Sequence, residues 1–172
     1  MKKKAGIVRL LILDVDGVLT DGKIYYSDQG MEEKAFDVKD GVGIKLLLQE
    51  GIKVAIISGR KSKAVEHRAK DLGIDEVYLG INDKVAAFEE ILKKNKINPE
   101  EVGFVGDDVV DLPLLSRVGF AIGVSDGVKE VKKVAHYVTK SPGGKGAVRE
   151  VCELILKSQK KWGNSLARLM EK

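Results

Sequence analysis

The chain has 172 residues, 44% of them hydrophobic and 33% charged, with a formal net charge of +4 from 30 Lys and Arg against 26 Asp and Glu. That length suffices to bury a core in one domain spanning 1–172, and that composition excludes a disordered chain. So small and interspersed a charge excess speaks against nucleic acid as a partner.

The basic start, Lys2 to Lys4, followed by an apolar run superficially resembles a secretion signal. Arg9 interrupts the run, Asp14 and Asp16 end it, and no small-residue cleavage site follows. No stretch approaches the ~18 apolar residues of a membrane span. The single cysteine, Cys152, has no partner for an internal disulfide, so a cytoplasmic protein without membrane contact is expected.

Leu10 to Leu13 read as a short strand buried on both faces of a parallel sheet. Asp14 and Asp16 then leave its carboxyl end together, at the edge where open α/β sheets place ligands, and Gly17 allows a sharp turn. Two close acids repel, so the run points to a shared cation such as Mg²⁺; the alternative is a plain strand end with an Asx-type turn.

Residues 22–37 carry two β-favouring stretches around Ser27-Asp28-Gln29-Gly30 and predict a hairpin. Its Ile24, Tyr25, Tyr26, Met31 and Phe36 are more apolar surface than a two-stranded ribbon buries alone, so it should pack on the domain body or on another subunit. Asp40 is expected to cap a helix running to Gly51. Val54 to Ile57 predict a second buried strand ending in Ser58-Gly59-Arg60, and a helix follows from about Ser62 to Leu72. Glu76 to Leu79 read as a strand, and Asp83 or Asn82 should cap the helix that begins with Lys84 and runs to about Lys94.

Asn98 to Glu101 form a turn or one helical turn, and the strand Val102 to Val105 ends in Gly106-Asp107-Asp108, with Asp111 close behind. Asp111 before Leu112-Pro113 is also a plausible helix cap. A helix around Leu112 to Arg117, a strand at Phe120 to Gly123, a helix at Val128 to Val134 and a strand at Tyr137-Val138 follow. The loop Ser141 to Gly146 leads into a terminal helix and tail over 147–172, whose Trp162, Leu166 and Leu169 are expected to dock on the body or a neighbour. Strands alternating with helices predict an α/β fold: a three-layer, Rossmann-like parallel sheet with helices on both faces.

Successive strand ends thus deliver Asp14 and Asp16, then Ser58, then Lys84, then Asp107, Asp108 and Asp111. Carboxylates, a hydroxyl and one amine are the parts for metal-assisted phosphoryl transfer. This ordered set resembles the haloacid dehalogenase superfamily of phosphotransferases. The resemblance implies that Asp14 is the nucleophile, that Asp16 protonates the leaving group and later deprotonates water, and that Ser58 and Lys84 hold the phosphoryl group. It further implies Mg²⁺ on Asp14, Asp107 and the backbone carbonyl of Asp16, with Asp108 and Asp111 as supporting groups that orient Lys84 or metal-bound water. The stretches between Asp16 and Ser58 and between Ser58 and Lys84 are too short for the cap domain that members usually carry, which leaves the hairpin and the Gly-rich segment 143–146 as covers.

Asp14 to Asp21 (DVDGVLTD), Phe36 to Gly43 (FDVKDGVG), Ile56 to Arg60 (IISGR), Val105 to Asp108 (VGDD) and Gly143 to Val151 (GGKGAVREV) look like the uncapped 3-deoxy-D-manno-octulosonate (KDO) 8-phosphate phosphatases. That family implies a phosphoric monoester hydrolase, a Mg²⁺-dependent homotetramer that releases phosphate from KDO 8-phosphate on the route to lipopolysaccharide. Its contacts to the substrate, a small sugar acid phosphate, carry over onto Asp16, the run Asp37, Val38, Lys39, Asp40 and Gly41, then Lys45, Ser58, Gly59, Arg60, Arg68 and Lys84. Lys45 stands where the family often has Arg, and lacks the planar fork that grips a carboxylate in two places. Two other readings compete: a phosphatase for a nine-carbon sugar acid 9-phosphate or for small phosphates generally, and a non-catalytic oligomerisation module.

Overall fold

The computed structural model describes residues 1–171. A short helix, α1 (Lys2–Gly6), precedes the first strand, β1 (Leu10–Leu13). The hairpin strands β2 (Tyr25–Tyr26) and β3 (Glu32–Glu33) come next, and then α2 (Val38–Gln49), β4 (Lys53–Ser58), α3 (Lys63–Leu72), β5 (Glu76–Leu79) and α4 (Lys84–Asn95). The second half holds β6 (Val102–Gly106), α5 (Leu112–Leu115), β7 (Phe120–Gly123), α6 (Lys129–Val134), β8 (Tyr137–Val138), α7 (Ala147–Ser158) and α8 (Trp162–Met170). Six strands form one parallel sheet in the order β5-β4-β1-β6-β7-β8, and β2 pairs with β3 antiparallel.

Side-chain alternation along β1 explains the three layers. Leu11 and Leu13 face one core, with Ile44 and Leu47 of α2, Val65 and Ala69 of α3, and Val151 and Ile155 of α7. Leu10 and Ile12 face the other, with Phe88 and Ile91 of α4 and Leu114 of α5. All four β1 residues are fully buried, as the unbroken apolar run requires.

Three boundaries depart from the sequence reading. The cap of α2 is Asp37, whose carboxylate accepts the Lys39 and Asp40 amide N–H groups, so the helix starts earlier than expected. Asp40 is buried in the first turn and caps a different helix: its Oδ1 accepts the Arg149 N–H at 2.7 Å, at the start of α7, where Gly146 has no side chain to offer. The C-terminal segment breaks at Lys160, a non-glycine residue at φ 58°, and restarts as α8. Trp162 docks on the body under Arg149 and Lys157, while Leu166, Leu169 and Met170 stay exposed. The helix α1 had no sequence signal; it is fixed by buried Ala5 and by Lys4 Nζ donating to the Gly119 carbonyl at 2.9 Å.

The hairpin forms over the expected span, yet Ile24, Tyr25, Tyr26 and Met31 are exposed. Only Phe36, at its exit, packs against the core.

Candidate active site

Register assembles the site. Leu13 pairs with Ile56 of β4 on one side and with Val105 of β6 on the other, so β1 stops two residues before the end of β4 and one before the end of β6. After β1 the chain builds outward through β4 and β5, then returns to β6, which makes the β1–β6 boundary the switch point where ligand crevices form. Asp14 sits there, its N–H donating to the Val105 carbonyl at 3.1 Å. Ser58 ends β4 and Asp107 follows β6, so hydroxyl and acid flank Asp14.

Lys84 opens α4 under a conventional cap, Asp83, whose carboxylate accepts the Val85 and Ala86 N–H groups. Far from being a solvated surface charge, its ammonium lies 2.7 Å from Asp14 Oδ1 and 2.7 Å from Asp111 Oδ1. Asp111 is fully buried, and its Oδ2 accepts the Asp107 N–H at 2.9 Å. One carboxylate thereby fixes both the amine and the turn that carries Asp107. Asp108 accepts the Val109 N–H as a local cap.

Asp14, Asp107 and Asp111 bring carboxylate oxygens within 4.8 Å of one another, against the single ammonium of Lys84. The surplus of negative charge is what a hard divalent cation neutralises, so the donor set fits Mg²⁺. Protein groups alone leave the acids strained: burial, opposed by Lys84 and reinforced by Asp111, raises Asp14 to about 6. Burial and the neighbouring Asp14 and Asp111 raise Asp107 to about 7. Burial depresses Lys84, but Asp14 and Asp111 outweigh it and hold the amine above its ordinary value. Both oxygens of Asp111 are already engaged, which leaves Asp14 and Asp107 as the acids with oxygens for a metal.

Gly17 is required by geometry. Its φ is +90°, and a Cβ there would lie 2.1 Å from Asp107 Oδ2. The Gly-rich segment lines none of this chain's own cleft. Gly144 donates its N–H to the Val18 carbonyl at 2.9 Å, and a Cβ on Gly143 would meet the Gly17 carbonyl oxygen at 1.8 Å. The segment is a wedge behind the Asp14–Thr20 turn.

A cleft of about 540 Å³ opens over these groups and is lined by Asp14, Asp16, Ser58, Arg60, Lys84 and Asp107 among others. Gly59 and Asp108 also border it. The other expected substrate contacts gather elsewhere: Asp37, Val38, Lys39, Asp40 and Gly41 form the first turn of α2, and Arg68 donates to the Asp37 carbonyl at 3.2 Å and lies over the Phe36 ring. Lys45 is exposed further along α2. None of this second group lines the cleft.

Sequence reasoning missed Lys34. It lies just beyond β3, its side chain is 1% exposed, and its ammonium pairs with Asp16 Oδ1 and with Glu32 Oε1, the latter at 3.4 Å. A lysine just past a hairpin strand carries no local signal of this; only the fold-back of the hairpin over the β1 loop creates the contact.

A model of the haloacid dehalogenase-like hydrolase family matches residues 76–151. The KDO 8-phosphate phosphatase KdsC of Yersinia pestis is 49% identical over 92% of this chain and 85% of its own length. The Escherichia coli K12 protein of the same name is 51% identical over 92% of this chain and 84% of its own. Among solved structures, the KDO 8-phosphate phosphatase of Moraxella catarrhalis, in complex with magnesium ion, phosphate ion and KDO, superposes with a TM-score of 0.95 at 44% identity, covering 98% of this chain and 97% of that one. With half of its residues shared along nearly its whole length, on the same sheet, the chain belongs to the KDO 8-phosphate phosphatase family of haloacid dehalogenase-like hydrolases.

Proposed function

We propose that this chain, as one catalytic domain, hydrolyses KDO 8-phosphate to KDO and phosphate with Mg²⁺, in lipopolysaccharide biosynthesis. The observation that carries the reading is the Asp14 carboxylate at the sheet's switch point, 2.7 Å from the Lys84 ammonium and within reach of Asp107. Asp14 and Asp107, with the carbonyl of Asp16, hold the metal, which offsets charge between an anionic nucleophile and an anionic ester.

Asp14 attacks phosphorus and takes the phosphoryl group as an acyl phosphate. Asp16 gives its proton to the departing alkoxide and then takes one from the water that hydrolyses the acyl phosphate, which frees phosphate and restores both acids. Ser58 Oγ donates to a phosphoryl oxygen, and Lys84 sets a fixed positive charge against the phosphoryl group and Asp14. Asp111 keeps Lys84 aimed. Arg60, at the cleft's rim, meets the sugar acid. The α2 group of Asp37 to Gly41, Lys45 and Arg68 lies outside the cleft, so it meets substrate only where the sugar projects past the rim or where a second copy abuts it.

A homotetramer in the cytoplasm completes the proposal. Exposed Ile24, Tyr25, Tyr26 and Met31 on the hairpin and Leu166, Leu169 and Met170 on α8 support it, as apolar surface of the kind that subunit contacts cover. No helix among the described residues is long and apolar enough to cross a membrane.

Turnover of KDO 8-phosphate, of a nine-carbon sugar acid 9-phosphate and of simple phosphate esters, each with and without Mg²⁺, tests the assignment. A clear preference for KDO 8-phosphate that vanishes with the metal is expected. Equal rates on all three esters would overturn it.

A further inference from the structure

We propose that Lys34 is a positioning residue for Asp16, and so that the hairpin belongs to the catalytic machinery. Tyr25, Tyr26 and Glu33 of the hairpin strands are exposed, yet the Lys34 side chain is almost wholly enclosed. Its ammonium reaches two carboxylates, Asp16 Oδ1 and Glu32 Oε1. Glu32 is fixed in turn by Arg60, whose Nη2 donates to Glu32 Oε2 at 2.8 Å and to the Tyr26 hydroxyl at 2.8 Å. Arg60 Nε stands 3.9 Å from Asp16 Oδ2. A buried ammonium that meets two acids, one of them braced from the far side, is held in a defined place.

Asp16 needs such a partner. It follows a strand end on a turn, and its task requires one oxygen to face the ester. Lys34 takes Oδ1, which leaves Oδ2 on the side of Arg60, another residue that lines the cleft. Once Asp16 has passed its proton to the leaving oxygen it is an anion beside a phosphorylated Asp14, and the Lys34 ammonium offsets that charge. Lys34 acts through Asp16 and touches no reacting atom.

The inference rests on the role given to Asp16 above, and a comparison of leaving groups separates the two. A sugar alkoxide departs only with a proton; 4-nitrophenolate departs without one. With the full-length protein and Mg²⁺, Lys34→Met is expected to lower kcat/KM on KDO 8-phosphate by about tenfold or more, and that on 4-nitrophenyl phosphate by no more than about twofold. KM on the sugar ester should hold, and Lys34→Arg should recover most of the loss. Parallel losses on both esters, a change in KM alone, or no loss would overturn the proposal, since a mere anchor for the hairpin has no preference among leaving groups. If Lys34→Met does not fold, Lys34→Gln takes its place in the same comparison. Asp16→Ala serves as the control: should it lack the same leaving-group dependence, the role of Asp16 fails, and the proposal for Lys34 falls with it.

Discussion

The sheet edge and the hairpin both reach the acids of the cleft, by opposite means. At the edge, Asp14, Ser58 and Asp107 are placed by backbone: three parallel strands in register end within two residues of one another, and the buried side chains behind them cannot shift without opening a cavity. In the hairpin, two-residue strands with exposed faces supply almost no packing, and position comes from Lys34, Glu32 and Arg60 holding one another by charge. Backbone placement is insensitive to salt and to conservative surface change. Placement by ion pairs is adjustable, and some of those pairs are exposed enough to be screened. A scaffold of the first kind suits the chemistry shared by a superfamily. A device of the second kind suits tuning toward one substrate.

The sharpest way to break this contrast is Asp14→Asn. It preserves shape and removes the nucleophile, so hydrolysis should fall by three or more orders of magnitude while the fold is kept, with residual turnover read in a phosphate-release assay. Asp111→Asn comes next. Losing the charge that holds Lys84 should cost about 10- to 100-fold in kcat, with less change in KM, because the residue acts through another. A wild-type rate in this variant would mean that the backbone alone aims the amine.

Metal binding should report the same edge through protons. Asp14 and Asp107, raised to about 6 and about 7, are both partly protonated below neutrality and must ionise to bind a cation. Mg²⁺ affinity should therefore rise with pH up to the higher of these values and then level off, with proton release at pH 6 and little at pH 8.5; calorimetry in two buffers of different ionisation enthalpy measures it. The smallest effect is expected in the hairpin. Tyr26→Phe removes one exposed hydrogen bond to Arg60, which should cost at most about 1 kcal/mol in melting stability and leave kcat within a few-fold. A loss as large as that of Asp111→Asn would erase the distinction between the two regions.

The edge was legible in the sequence and the hairpin's role was not, for the same reason. A buried strand must be apolar along its whole length, so Leu10 to Leu13, Val54 to Ile57 and Val102 to Val105 announce themselves, and polar residues at their ends stand out. Asp40 was the expected cap of α2 because its residue type suits that position; Asp37 caps the helix instead, while Asp40 accepts the Arg149 N–H of α7, a contact between two helices that no local pattern reveals. The break at Lys160 has no glycine to mark it. Lys34 and the fate of the Gly-rich segment depend on contacts between parts of the chain that no local pattern joins.

That last contact bears on how the protein is made. Gly143 and Gly144 sit so tightly behind the turn after Asp14 that a single methyl would collide with it. During translation, the N-terminal strand emerges early and waits for its backing until residue 144 has cleared the ribosome's exit tunnel. A nascent chain arrested before that point would carry every catalytic side chain named here and still lack the backing of the turn from Gly17 to Asp21, so activity should appear late in synthesis.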